Sequence, residues 1–184
     1  MSKRLACVLL VAVTALLAAG CGGSSDSASS DTTPTDEWAD GLCSSISTWT
    51  SSLTTIVGTI TGGNLSKNSL TAAVDDAKSA TETFTTSLSD LGKPDTEAGQ
   101  EAKDSVDKLV TDIQADMTEI EDAVNGASGV AGVIAAVPTI SSTLSKAGEQ
   151  VSSTLTGFQD LDAKGELESA FKSSSSCQDL TSGS

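Results

Sequence analysis

The sequence predicts an all-α protein: an antiparallel, up-down four-helix bundle followed by a short C-terminal helix. Three observations carry that prediction. Large apolar residues recur at steps of three and four through four long segments, the period of a single helical face. No stretch sustains the period-two alternation of a half-buried strand, and the β-branched residues also sit at helical spacing. The segments are joined by short Gly-, Asn- and Pro-containing connections, which favour antiparallel neighbours.

Ahead of the helices lies a leader. Lys3 and Arg4 give a short positive end, Leu5 to Leu17 is apolar but for Thr14, and Ala18, Ala19 and Gly20 are small. That is the layout of a secretory signal over residues 1–20. The run is shorter than the roughly 20 apolar residues of a stable membrane span. Leu17-Ala18-Ala19-Gly20-Cys21 resembles the lipobox of bacterial lipoproteins. The resemblance implies that the Cys21 thiol is diacylglycerylated, that the leader is cut before it, and that Cys21 becomes the N-terminus. In the commonest lipobox Leu stands three residues before the cysteine; here Ala18 does, with Leu17 one place further back. An ordinary signal peptide cut nearby would instead leave Cys21 as a disulfide partner or a free thiol. After Cys21 the chain is Gly, Ser, Thr, Ala and Asp with Pro34 and no large apolar residue, so residues 21–35 are expected to be a flexible spacer.

The helical domain is expected over residues 36–180. Thr35 or Asp36 can cap a first helix whose stripe is Trp38, Leu42, Ile46, Trp49, Leu53, Ile56 and Ile60, ended by Gly62-Gly63. Its other face is Ser and Thr, mediocre helix formers, so tertiary packing must supply much of its stability. A second helix after Asn64 to Asn68 carries Leu70, Val74, Ala77, Thr81, Phe84, Leu88 and Leu91, and stops at Gly92 and Pro94. A third begins at Asp95 or Thr96 and carries Ala98, Ala102, Val106, Leu109, Ile113, Met117, Ile120 and Val124. It is the most acidic, with Lys103 and Lys108 spaced to pair locally. A fourth, Val130 to Leu161, presents Val130, Val133, Val137, Ile140, Leu144, Ala147, Val151, Leu155 and Phe158. Pro138 lies inside it, so either the helix kinks or a new one starts there. A short fifth helix near Ala163 to Lys172 carries Leu167, Ala170 and Phe171. Ser173 to Ser176 then lead to Cys177, and residues 181–184 form a polar tail.

The chain has four cysteines. Cys7 leaves with the leader. If Cys21 is lipidated, as the resemblance implies, Cys43 and Cys177 remain as one pair. An up-down bundle returns the end of its fourth helix to the start of its first, which brings the two regions together. A disulfide is therefore expected, worth about 5 kcal/mol in the chain-entropy description of so long a loop. Two free thiols or a redox pair are the alternatives, and no Cys-x-x-Cys motif favours the latter. More broadly the chain is similar to small lipoproteins of high-GC Gram-positive bacteria. The similarity rests on Leu17 to Cys21, the Ser/Thr/Asp spacer, Trp38-Ala39-Asp40-Gly41-Leu42-Cys43 and Ser176-Cys177-Gln178. It implies a lipid anchor on the outer face of the cell membrane and names no activity.

Composition narrows the function. The formal charge of −15 becomes −17 once Lys3 and Arg4 are removed with the leader. Such a surface repels nucleic acid and anionic lipid headgroups. There is no His and no Tyr, so the commonest acid–base catalyst and metal ligand is missing. No Gly-x-Ser-x-Gly, Glu-x-x-His or Asp-x-Asp-x-Asp-Gly run is present. No enzyme, cofactor or metal is expected. Trp38 and Trp49 share a face and, with Phe84 and Phe158, line either the core or a ligand groove. The small-residue segment from Gly126 to Ala136 allows close packing or a hinge. The expected function is therefore a non-enzymatic envelope lipoprotein presenting an acidic helical bundle to a protein or polymer. The alternative is a carrier holding a small apolar ligand between the helices. A packed core with an exposed apolar patch would favour the first, and excess internal volume the second.

Overall fold

Three-four spacing becomes helix throughout the computed structural model, which describes residues 32–62, 66–161 and 164–182. The leader, Cys21 and the spacer to residue 31 lie outside the described residues, as do Gly63, Asn64, Ala163 and the last two tail residues. The order is β1 (Thr32–Thr33), α1 (Thr35–Gly62), α2 (Lys67–Asp90), β2 (Lys93–Pro94), α3 (Gly99–Gly126), α4 (Gly129–Leu161), α5 (Glu166–Ser173) and α6 (Ser175–Ser182). The described chain is mostly helical and carries a disulfide between Cys43 and Cys177, whose Cα atoms are 5.0 Å apart. Helices α1 and α2, α2 and α3, and α3 and α4 pack as neighbours, while α5 and α6 pack against α1.

The helix ends follow local chemistry. The Trp38 amide donates to Pro34 O at 2.9 Å, which starts α1. Ser66 and Ser69 form a reciprocal capping box at the start of α2. Helix α3 begins later than the Asp95 or Thr96 start expected, because residues 94–99 are spent on a turn: Thr96 N donates to Pro94 O and Gly99 N to Thr96 O. A Cβ on Gly99 would collide with the Pro94 carbonyl, so only glycine permits this entry.

Several expectations need correction. The spacer drawn to residue 35 ends sooner, because Thr32–Thr33 pair in parallel with Lys93–Pro94, Asp95 N donates to Thr33 O, and α1 starts at Thr35. This strand pair is too short to leave a periodic signature. Helix α4 is one 33-residue helix running through Pro138. Ile134, whose carbonyl loses its partner at proline, sits with Pro138 on the exposed side, where water can serve that oxygen. The fifth helix runs from Glu166 to Ser173. Cys177 lies in a sixth helix, which the sequence reading did not assign. Ser174 caps that helix: its Oγ accepts from the Cys177 amide at 3.2 Å.

The core has two parts. One gathers Trp38, Leu42, Ile46 and Trp49 of α1 with Phe84 and Leu88 of α2, the Ala102–Ile113 seam of α3, the second half of α4 and Leu167 of α5. The other holds Leu70, Val74 and Ala77 of α2 with Met117, Ile120 and Val124 of α3, plus Val133 and Ala136 of α4. Among the described side chains, helix α1 reaches this second part through the half-buried Leu53 and Ile56.

Candidate functional site

The end of the molecule around Trp38 is where most elements meet. Trp38 is fully buried, and its indole Nε1 donates to Gly92 O at 3.2 Å. Thr33 Oγ1 donates to Leu91 O at 2.5 Å, fastening the entering strand to the same connection. Trp38 meets Phe158 of α4 edge-on, with centroids 5.4 Å apart, and Phe171 of α5 at 6.2 Å. Phe158 and Phe171 stack at 5.7 Å. Three aromatic rings from three helices thus form one cluster, in geometries that contribute beyond burial alone.

Helix α6 closes this cluster from outside, held by three different devices. One is the Cys43–Cys177 bond. Another is Asp40 of α1, which accepts from Ser174 Oγ at 2.8 Å. The third is apolar, through Leu180 against the first core cluster. Hydroxyl donation from Ser174 and then Ser176 holds the Asp40 carboxyl below its usual range. The carboxylate sits at the N-terminus of α6, where negative charge is favoured. A group with a depressed folded pKa stabilises the fold above its unfolded pKa of about 3.9. That contribution is lost as pH falls through the lower folded value. The melting temperature of Asp40→Asn should therefore lie below that of the parent near neutral pH, with the gap closing below pH ~4. A gap that stays constant into strong acid would mean that the charge on Asp40 does not stabilise the fold.

Between α4, α5 and α6 the structure leaves a half-open pocket of about 340 Å³. Leu155, Phe158, Phe171, Leu180 and the Cys43–Cys177 disulfide make its walls. Glu168, Lys172 and Gln178 complete the lining. Lys172 Nζ pairs with Glu168 Oε1 at 2.5 Å, and Gln178 Nε2 donates to Lys172 O at 2.7 Å.

The four aromatics that could line either the core or a ligand groove fall into two separate pairs. Trp49 and Phe84 stack at 4.7 Å and are both buried, with Trp49 Nε1 donating to Thr81 Oγ1 at 3.1 Å. Trp38 and Phe158 form the other pair, and Phe158 is the one member of the four that borders the pocket. Phe171, Leu155 and Leu180 were not expected there. Phe171 and Leu155 carried helical-stripe signals that gave no hint of a cavity, and Leu180 stood in a segment to which no helix was assigned. Cys21 lies outside the described residues.

A second feature is on α4. Val130, Ile134 and Val137 are 74%, 60% and 41% exposed and recur at i, i+4 and i+7. Val130 and Val137 were expected in the seam. The face that packs instead runs through Val133, Ala136, Thr143 and Ala147. At Gly132 the first turn of α4 lies close against the connection before it: a Cβ there would stand 3.1 Å from the Ala127 backbone. Along this segment Val133 and Ala136 face the core, while Val130, Ile134 and Val137 are turned outward. No charged residue occurs between Asp122 and Lys146. By length and composition α4 could cross a membrane between Gly129 and Phe158, with a mean hydropathy of 1.3 in its most apolar window. Its inner face, however, is packed on α2 and α3. Further along, Lys146 Nζ contacts the buried Asp116 at 2.6 Å, which raises the lysine pKa and ties α4 to α3.

Among the described residues no group of three or more His, Cys, Asp or Glu is placed to hold a metal ion. No family model matches this chain, and neither a curated protein nor a solved structure matches it.

Proposed function

We propose that this chain is a non-enzymatic, extracytoplasmic lipoprotein, anchored through Cys21, whose first four helices form an antiparallel up-down bundle that docks a protein of the cell envelope. The exposed Val130, Ile134 and Val137 stripe on α4 carries the docking part of this reading. An aliphatic stripe without charge, on an otherwise strongly acidic chain, is the kind of surface that protein partners cover. A glycan polymer would need hydroxyl-binding groups or an aromatic face, which the stripe lacks. An anionic membrane would need several Lys or Arg beside the stripe; Lys67 reaches the start of α4, but its Nζ is held by Asn125 O and Ala127 O.

The up-down arrangement is supported by contacts between helix ends. Trp38 near the start of α1 bonds Gly92 just beyond α2. Lys67 at the start of α2 donates to Asn125 O and Ala127 O at the end of α3. Phe158 near the end of α4 meets Trp38. A disulfide fits export to an oxidising space, and the lipobox-like Leu17 to Cys21 supplies the anchor.

The test uses the full chain in its native envelope. A photo-crosslinking residue at position 134 should give a discrete protein adduct that is absent with the same probe at the exposed, polar position 83. Cys21→Ser should move the protein from the membrane to the soluble fraction. A heterogeneous adduct removed by glycan hydrolases would replace the protein partner with a polymer, and equal labelling from both positions would sink the docking face. Membrane retention without the Cys21 thiol would contradict the anchor. The carrier reading keeps one observation in its favour, the apolar pocket beside Phe158.

A further inference from the structure

We infer that the pocket walled by the Cys43–Cys177 disulfide binds an uncharged amphiphile with an apolar body of two to three rings, or a bent alkyl chain of similar bulk; this rests on the carrier reading. Size comes first. A cavity of ~150 Å³ accommodates benzene, and ligand sites begin near ~300 Å³. At about 340 Å³ this pocket takes more than one ring and less than an extended lipid.

The walls decide the body. Leu155 and Leu180 offer aliphatic carbon, Phe158 and Phe171 offer a stacked aromatic pair, and the disulfide offers polarisable sulfur. None of these solvates a charge, so an ionised group on the body would be strongly disfavoured.

The polar lining decides the head. Lys172 and Glu168 already neutralise each other at 2.5 Å, on side chains 73% and 51% exposed. An anion would have to displace Glu168 from Lys172, and a cation the reverse. A neutral hydroxyl, carbonyl or amide can hydrogen-bond to this group without breaking the pair. The chain's net charge of −15 weighs further against anions.

The probes are chosen to separate these claims. N-phenyl-1-naphthylamine is a neutral body of suitable bulk whose emission rises in apolar surroundings. 1-Anilinonaphthalene-8-sulfonate has the same body with a fixed negative charge. Titrated into the oxidised chain with its leader removed, the neutral probe should bind one to one, and the sulfonate at least ~tenfold more weakly. Leu155→Trp, which fills the pocket, should weaken the neutral probe at least ~tenfold. Leu180→Arg, at a half-buried wall position, should do the same if the first variant misfolds, with circular dichroism and cooperative melting as the check on both. Ile134→Asp, on the α4 stripe, should leave binding unchanged.

No binding of either probe overturns the site and the carrier reading together. Equal binding of both overturns the uncharged class while leaving a carrier in place. Loss in Ile134→Asp but not in Leu155→Trp or Leu180→Arg moves the probe to the stripe and overturns the pocket.

Discussion

Trp38→Ala should destabilise the folded chain by about 3–5 kcal/mol, the range for deleting a buried aromatic ring. The upper end is expected because the ring is fully buried and touches two others, Phe158 and Phe171. Its Nε1–H also satisfies the Gly92 carbonyl. Removing the donor leaves that acceptor to find water, a penalty of about 1 kcal/mol or more. Trp38→Phe separates the two parts: it keeps much of the ring contact and loses the donor. Urea unfolding of parent and both variants gives the numbers. A loss below about 1 kcal/mol for alanine would mean that the site collapses around the gap and that Trp38 is not the hub of this corner.

How legible this corner was depends on which side chains one follows. The α2 and α3 seams could be read in advance, since Leu70 to Leu88 and Ala102 to Val124 are buried at the positions the three-four spacing gives. Those helices have one apolar face and one charged face, so period alone decides. The first half of α4 is apolar or small all round, and period does not decide there. Packing took Val133, Ala136 and Thr143 inward, and Val130 and Val137 were left outside. Helix α6 was invisible because its Ser-rich sequence has weak propensity and is too short to show a stripe. It is held by partners more than 130 residues away in sequence, Asp40 and Cys43. The pocket was hidden for the same reason, as one of its walls is α6. What the cysteines did disclose was the bond itself.

That bond gives the other large effect. The double variant Cys43→Ser/Cys177→Ser should lose about 3–5 kcal/mol, with a fall in Tm on the order of 10 °C for a domain of this size. Two contributions point the same way. Across a sequence separation of 134 residues the bond removes much of the loop-closure entropy of the unfolded chain. It also anchors α6, which otherwise keeps the Asp40–Ser174 bond and the Leu180 contact. These differ in readout. If the unfolded-state term dominates, the whole domain melts earlier in one cooperative step. If anchoring dominates, amides of α6 exchange early while those of α2 and α3 keep nearly their parental protection. An unchanged Tm with intact α6 protection would deny the disulfide any structural role. Coupling to Trp38 offers the sharper check, because the tryptophan contacts Phe158 and Phe171, the same two rings that border the disulfide pocket. Neighbours that share one packed corner do not add. Trp38→Ala in the disulfide-free background should therefore cost less than in the parent, since the corner it stabilises is already loosened. Strict additivity would mean that the bond and the aromatic cluster stabilise the fold independently, and that α6 is a flap on the core rather than part of it.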